Sequence, residues 1–193
     1  MRTKTVQKVV AGLAIFTDIQ DILCVQRKNL ASAVSDDEKA RQGFVTLETS
    51  EELLGDIISN EGIIVARCGN KLAGYLIPIT VRRSAIFPLF LPLAEQFRFM
   101  RYDGRVIDMH KVCILAQICI DKEFRNGESL QAIHQVTRNH LGKKYDIGVA
   151  LISSTNPRSL AANTKKAGMT DVGQYVSRGI TWHVVVSDFR ATS

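Results

Sequence analysis

The sequence predicts an α/β (α+β) fold with a mixed, mostly antiparallel central sheet of about seven strands flanked by helices. Short apolar runs with strand character recur along the chain, and amphipathic stripes with helical spacing lie between several of them. Pairs of such runs near the middle and the C-terminus are joined by glycine-containing turns typical of hairpins. A hairpin, a β–α–β–α series and a second hairpin, in that order, imply helices packed on a mixed sheet.

Length and composition fit one globular domain spanning residues 1–193. Hydrophobic residues make up 46% of the chain and charged residues 23%, which argues against disorder. The formal net charge of +6 favours anionic partners. The positive residues are scattered in short pairs, and no basic arm or aromatic-plus-basic platform indicates nucleic-acid binding.

The cysteines and the N-terminus predict a cytoplasmic protein with no metal and no membrane segment. The four cysteines form no CxxC pair and have no histidine at metal-ligand spacing. Residues 17–21 interrupt the modest apolar run after the basic N-terminus, so a signal peptide is not expected. No run approaches the length of a membrane span.

The first half of the chain alternates strands with capped helices. Ser or Thr followed three residues later by Glu or Gln is a capping box, and it precedes each apolar stripe. Pro78 cannot donate a ladder hydrogen bond, so it should lie at a bulge, a strand end or an edge. The predicted elements are a strand over Val9–Phe16, a helix from Thr17 and Gln20 to about residue 34, a short helix from Ser35 and Glu38 to near Gly43, a helix from Thr49 and Glu52, and a hairpin of Ile63–Cys68 and Leu72–Val81 across Gly69 and Asn70.

The second half supplies the β–α–β–α series and the last hairpin. Residues 84–100 are apolar and aromatic but interrupted by two prolines, which predicts a broken helix that either lines a groove or belongs to the core. The remaining predicted elements are the strand Val112–Ile120, the helix Ser129–Leu141, the strand Ile147–Ile152, the helix Ser159–Lys166 ended by Gly168, and the hairpin of Asp171–Val176 and Thr181–Val186 across Arg178 and Gly179.

The most informative segment runs from Cys113 to Ser129. An apolar strand leads into a loop with Arg125, Asn126 and Gly127, and this loop opens an amphipathic helix. A helix N-terminus presents unpaired N–H groups and partial positive charge, so the junction is a candidate cradle for a phosphate or pyrophosphate. Many strand–loop–helix junctions carry Gly and Arg only to turn and remain soluble, so both interpretations stay open here.

The order of the elements, together with the segments ICIDKEFRNGESL and ISSTNPRSLAANTKKAGMTDVGQY, resembles the GNAT N-acetyltransferase superfamily. Within it, the chain looks like a bacterial branch, and the residues that match this branch are Asn29–Leu30, Asp36–Lys39, Gly43–Val45, Tyr175 and Trp182. The resemblance covers about residues 9 to 186. It implies that the fourth and fifth strands, Val112–Ile120 and Ile147–Ile152, splay apart, and that acetyl-CoA is the co-substrate with its pantetheine arm in the gap.

The resemblance also implies the residues that bind the cofactor. Backbone groups of the fourth strand would bond the pantetheine amides, the turn before the helix would hold the pyrophosphate, and an Asn after the fifth strand would lie near the thioester. Asn156 followed by proline is equally a routine helix cap. The implied cofactor-binding residues are Ile118, Cys119, Ile120, Arg125, Asn126, Gly127, Glu128, Ser129 and Asn156.

Two departures from the family pattern bear on catalysis. The phosphate turn has one glycine and contains Glu128, which repels a phosphate if it faces the ligand and favours the helix dipole if it faces solvent. Leu151 and Asn163 stand where related proteins carry an acid or base. The candidates left for a general base are Asp108 and His110; His110 could act without pKa tuning, or it could be a surface or strand-end histidine. Cys119 is expected to be a core residue rather than a nucleophile.

The sequence thus predicts an acetyl-CoA-dependent N-acetyltransferase in which an amine of a small molecule or protein attacks the thioester directly, with His110 as the candidate catalytic residue. The alternative is a degenerate GNAT-like domain that serves as a binding or scaffold module. The acceptor groove is expected within residues 84–105, where Phe97, Phe99, Arg101 and Tyr102 lie. The acceptor and the presence of a homodimer stay open.

Overall fold

A computed structural model of the protein describes residues 8–190 apart from positions 36, 38, 40 and 41. The strands of the described part are β1 (Val9–Leu13), β2 (Ile64–Cys68), β3 (Lys71–Thr80), β4 (Arg101–Tyr102), β5 (Arg105–Val106), β6 (Val112–Ile120), β7 (Ile147–Ser153), β8 (Thr170–Ser177) and β9 (Ile180–Asp188). The helices are α1 (Ile19–Asn29), α2 (Glu51–Asn60), α3 (Leu91–Gln96), α4 (Glu128–Leu141) and α5 (Pro157–Ala161), the last continued by a π-helical turn over Ala162–Lys166.

The main sheet has seven strands in the order β1-β2-β3-β6-β7-β9-β8. Every neighbouring pair is antiparallel except β6 and β7, which are parallel. This confirms the predicted fold class. The fourth and fifth strands of the sheet are β6 and β7, because β4 and β5 form a separate two-stranded ribbon.

Two hydrophobic clusters cover the two faces of the sheet. One contains apolar side chains of α1, α2 and the segment 87–97, packed on β3, β6 and β7. The other contains side chains of α4, with Leu160 of α5 packed against it. Residues 81–99 form short 3-10 turns around α3, as a helix broken by prolines should, and Phe87, Phe90, Leu93 and Phe97 are buried in the core.

A bulge divides β6 into two parts. Ile77 pairs with Gln117 and Pro78 pairs with Leu115, so Ala116 is an extra residue on β6. Pro78 has no N–H to donate, and it lies at this irregularity, two residues beyond Leu76, where the pairing of β3 with β2 ends. The expectation that Pro78 lies at a bulge, a strand end or an edge is therefore confirmed.

The first helix differs from its prediction at both ends. It begins at Ile19 after a 3-10 turn, and Asp18, rather than Thr17, caps this region by accepting a hydrogen bond from the Ile15 N–H at 2.8 Å. It ends at Asn29 rather than near residue 34. The Asn29 carbonyl accepts from the Val45 N–H at 2.9 Å, so a contact with a distant segment replaces the next helical hydrogen bond.

Other elements also differ from their predicted boundaries. The cap of α2 is Ser50, whose Oγ accepts from the Leu53 N–H at 3.1 Å, and not Thr49. Of the short helix predicted from Ser35, Glu38 lies outside the described residues, whereas positions 37, 39 and 42 are helical. The ribbon of β4 and β5 was not predicted, although its turn is an Asp103–Gly104 pair with positive φ at both residues, a strong hairpin signal.

We expect a methyl group at Gly74 to destabilise the sheet. A Cβ there would lie 2.6 Å from the Cys119 carbonyl oxygen and 2.5 Å from Ile120 Cδ1, so β3 and β6 would have to separate. Gly74→Ala should lower the free energy of unfolding by about 1–3 kcal/mol in urea denaturation followed by circular dichroism. Gly12→Ala is the matched control, since no atom lies within 4 Å of its Cβ position. Equal stabilities of the two variants would contradict the packing argument.

Candidate functional site

The central feature of the site is a wedge between β6 and β7. These strands pair at Val112–Ile147, Cys113–Gly148 and Ile114–Val149, and the paired register stops there. The bulge at Ala116 lies two residues beyond the last of these pairs. The splaying of the fourth and fifth strands is therefore confirmed, and it begins where β6 bends.

The wedge leaves backbone groups of β6 without a strand neighbour on one side. The Asp121 N–H donates to the Ala73 carbonyl at 2.9 Å, which fixes the phase of the β3–β6 ladder. By antiparallel alternation, Cys119 exchanges its hydrogen bonds with β3, whereas Ile118 and Ile120 direct theirs into the wedge. The Ile120 carbonyl accepts from Arg125 Nε at 2.9 Å. Ile118 is thus the position best placed to bond an amide-bearing arm.

The turn before α4 has a left-handed glycine at its end. Gly127 has φ 105° and forms the N-cap of α4. Asn126 Oδ1 accepts from the Glu128 N–H at 3.0 Å, so this helix N–H already has a partner. Glu128 itself is exposed, and its Oε1 lies 3.5 Å from the Val9 backbone nitrogen on β1. The carboxylate is therefore turned away from the wedge, while Ser129 is fully buried.

Arg125 ties the turn to two distant segments. Its Nη1 donates to the Gln42 carbonyl at 2.5 Å, and its Nη2 donates to Asn29 Oδ1 at 2.6 Å. Together with the bond to Ile120, these contacts hold the end of β6 against the end of α1. Arg125 therefore acts first as a clamp that shapes the mouth of the wedge.

A cationic pocket opens at this mouth, and sequence reasoning missed the residues that supply its charge. Arg158, Lys165 and Lys166 line it together with Arg125 and Gly127. A Cβ placed on Gly127 would lie 3.9 Å from Lys166 Nζ, so the ammonium group lies over the glycine turn. A signal was present, because residues seven and eight positions apart fall on one helix face.

Asn156 serves as a helix cap and as a tie between loops. Its Oδ1 accepts from the Ser159 N–H at 3.2 Å, and its Nδ2 donates to the Phe44 carbonyl at 3.0 Å. It also lines the inner part of the wedge together with Gln117, Leu151 and Trp182. Asn156 thus caps α5 and also lies beside the wedge.

The structure does not bring His110 to the wedge. It precedes β6, and the three β6–β7 pairs stand between it and the open part of the wedge. Ala116 is six positions further along, roughly 20 Å of extended chain. His110 is buried, with Nε2 3.2 Å from the Tyr102 carbonyl oxygen. This geometry does not support His110 as the general base, and Asp108 lies in the 3-10 turn just before it.

The residues expected to form the acceptor groove do not line the wedge or the cationic pocket. Phe97 is buried in the core, and neither Phe99, Arg101 nor Tyr102 lines the wedge or the cationic pocket. Cys119 is 3% exposed, and burial raises the pKa of its thiol to about 12, which favours a core role.

Two hydrogen-bonded pairs of uncharged side chains lie near the wedge. Gln26 Nε2 donates to Thr49 Oγ1 at 2.7 Å, and Gln26 Oε1 accepts from the Thr49 N–H at 2.8 Å. Gln117 Nε2 donates to the hydroxyl of Tyr75 at 3.1 Å. Burial raises the pKa of Tyr75 well above its usual value, so this hydroxyl stays neutral.

The described residues also limit what else the site can hold. No group of three or more His, Cys, Asp or Glu side chains among them is placed to bind a metal ion. Within the same part of the chain, no helix combines the length and the apolar character needed to cross a bilayer. The wedge and the cationic pocket, by contrast, suit an elongated ligand with amides in its arm and phosphates at its end.

Comparison with known proteins identifies this architecture. No protein-family model and no curated protein matches the sequence. Solved structures do match over nearly the whole chain. A GNAT-family acetyltransferase from Streptococcus agalactiae is 17% identical, with 93% of this chain and 95% of that one covered and a TM-score of 0.64.

Two further matches are similar in extent. The protein yncA from Salmonella typhimurium, solved with its cofactor acetyl-CoA, is 10% identical, with 96% of each chain covered and a TM-score of 0.61. A ribosomal-protein-alanine N-acetyltransferase from Brucella melitensis is 13% identical, with 93% of this chain and 99% of that one covered and a TM-score of 0.59. At these identities the likeness concerns the fold.

The wall formed by α4 and the π-helical turn should be sensitive to acid. His134 on α4 is 1% exposed, and burial, aided by the charge of Arg138, lowers its pKa to about 4. The unfolded chain, with a usual histidine pKa near 6.5, therefore binds the proton more readily. The contribution of neutral His134 to the free energy of unfolding is therefore complete above about pH 6.5 and is lost as the pH falls towards 4.

We expect the free energy of unfolding to fall by about 2 kcal/mol between pH 7 and pH 5 through His134 alone. Urea denaturation at both pH values should show this difference in the wild type and in a His140→Gln control. In His134→Gln the difference should shrink by that amount, whatever the absolute stability. An unchanged pH dependence in His134→Gln would contradict the assignment.

Proposed function

Because the chain has the fold of the GNAT N-acetyltransferases, we propose that it transfers the acetyl group of acetyl-CoA to an amine. The observation that carries the proposal is the wedge between β6 and β7, with a cationic pocket at its mouth. An open gap between strands has backbone groups that need partners, and a cationic pocket favours phosphates. CoA presents amides and phosphates along one molecule.

Several residues of this chain would hold CoA in this proposal. The backbone of β6 at Ile118, Cys119 and Ile120 would face the amide-bearing arm, with Ile118 the best placed, and Asn156 would flank the inner end. The turn Arg125–Ser129 would meet the phosphates at the N-terminus of α4. Lys166 and its neighbours would supply the charge that a glycine-poor turn lacks.

The reaction would be a direct attack. The lone pair of a neutral amine forms the N–C bond, the C–S bond of the thioester breaks, and the sulfur leaves with that electron pair. The nitrogen loses one proton and the sulfur gains one, so the products are an amide and a thiol. Holding a neutral amine beside the thioester supplies much of the rate and needs few polar side chains.

The degenerate-domain alternative rested on the glycine-poor turn, Leu151 and Asn163. Glu128 is turned towards β1, and Lys166 lies over the turn, which supports CoA binding despite the missing glycines. Asn163 is buried and its Nδ2 bonds the Ser159 carbonyl at 2.9 Å, so its role is structural. The acceptor would be an amine of a small molecule or of a protein.

Calorimetry with CoA tests the proposal. We expect micromolar binding by the wild type and about a tenfold weaker Kd for Lys166→Gln, because one ion pair with a phosphate is lost. Lys144→Gln, at an exposed position after α4, is the matched control and should bind like the wild type. The difference between the variants should decrease as salt is added.

A second measurement addresses transfer itself. Incubation with acetyl-CoA and a panel of amines should release a free thiol in amounts equal to the acetylated product found by mass spectrometry. Absence of CoA binding by the folded wild type would exclude the proposed enzyme. CoA binding without transfer to any amine in the panel would favour the binding-module alternative.

A further inference from the structure

The described residues that line the inner wedge are uncharged. Its apolar lining includes Phe44, Leu47, Leu151 and Trp182, and its polar lining is made of amides and hydroxyls. Among the described residues that line the wedge and the cationic pocket, none is Asp or Glu. The charged residues in this lining are the cations Arg125, Arg158, Lys165 and Lys166. A cationic acceptor would meet repulsion from them, and no carboxylate among the described lining residues would offset it.

One side chain in this lining has an acceptor to offer. Gln117 is 5% exposed, and no described residue bonds its Oε1. Its Nε2 is held by the Tyr75 hydroxyl at 3.1 Å. Tyr75 is fully buried, and its hydroxyl oxygen accepts from this amide nitrogen. Oε1 is therefore a buried acceptor without a partner among the described residues, on a side chain that lines the wedge.

A neutral amide oxygen selects between forms of an amine. It accepts a hydrogen bond from the N–H of a neutral amine, but it does not compensate the buried charge of an ammonium group as a carboxylate would. The indole N–H of Trp182, which has no partner among the described residues, is a donor only and cannot bind an ammonium group either.

We propose that the acceptor is a weakly basic amine carried on an apolar body, of which an arylamine is the simplest example, and that Gln117 Oε1 positions its N–H. The proposal rests on the proposed function. A weakly basic amine is neutral at physiological pH, so its lone pair is already free to form the N–C bond. The proton that the nitrogen then loses is gained by the departing sulfur.

A matched pair of substrates tests the substrate class. Aniline and cyclohexylamine have nearly the same size, but at pH 7 the first is neutral and the second is an ammonium ion. We expect kcat/KM for aniline at pH 7 to exceed that for cyclohexylamine by at least tenfold. With cyclohexylamine, kcat/KM should rise about tenfold per pH unit below the pKa of the amine, whereas aniline should show little change.

Variants at Gln117 test the positioning role. Gln117→Leu removes the acceptor atom and should reduce kcat/KM for aniline about tenfold, mainly through KM. Gln117→Glu introduces a carboxylate and should shift the ratio of the two substrates towards cyclohexylamine. Gln135→Leu, at an exposed position of α4, is the control and should leave both substrates unaffected.

Binding without transfer separates positioning from damage to the fold. Calorimetry of aniline against the protein saturated with CoA should show weaker binding by Gln117→Leu than by the wild type, while the Kd for CoA stays within twofold. Preference for cyclohexylamine or a polyamine at pH 7 would overturn the proposal but leave acetyl transfer standing. Absence of CoA binding by the wild type would overturn both.

Discussion

The separation of β6 from β7 is the constraint on which the rest of the site depends. The β3–β6 register shifts between Ile77 and Pro78, and Ala116 is the extra residue that β6 inserts there. The paired part of β6 and β7 ends two residues earlier, at Ile114 and Val149. Pro78 on β3 thus lies level with the point where β6 and β7 separate, and this separation exposes the backbone of Ile118.

Charge in the site is distributed by depth. The mouth of the wedge has cations from the π-helical turn after α5, and Arg125 is occupied in holding β6 to α1 and to the loop at residue 42. The interior has amides, hydroxyls and apolar side chains. Such an arrangement attracts a phosphate-bearing ligand to the mouth and leaves a low-charge environment where a thioester and an amine would meet. In that environment an ammonium group is costly and a neutral amine is not.

Uncharged side-chain hydrogen bonds connect the elements around the interior. Thr49, just before α2, bonds Gln26 of α1, and Tyr75 of β3 bonds Gln117 of β6. The bond to the fully buried Tyr75 holds the nitrogen end of the Gln117 amide in place. Burial raises the pKa of Tyr75, so its hydroxyl stays neutral and keeps this bond across physiological pH.

The sequence by itself determined the element order, the sheet with hairpins near the middle and the C-terminus, the position of Pro78, and the wedge that the family resemblance implied. These follow from apolar spacing, turn residues and motif order, which act over short distances along the chain. Only the tertiary structure decided that Arg125 is a clamp, since its partners Gln42 and Asn29 lie 83 and 96 residues away. It likewise placed Lys166 over Gly127 and His110 beyond the closed end of the wedge. A side chain's partners depend on which distant segments pack beside it, and local sequence patterns do not contain that information.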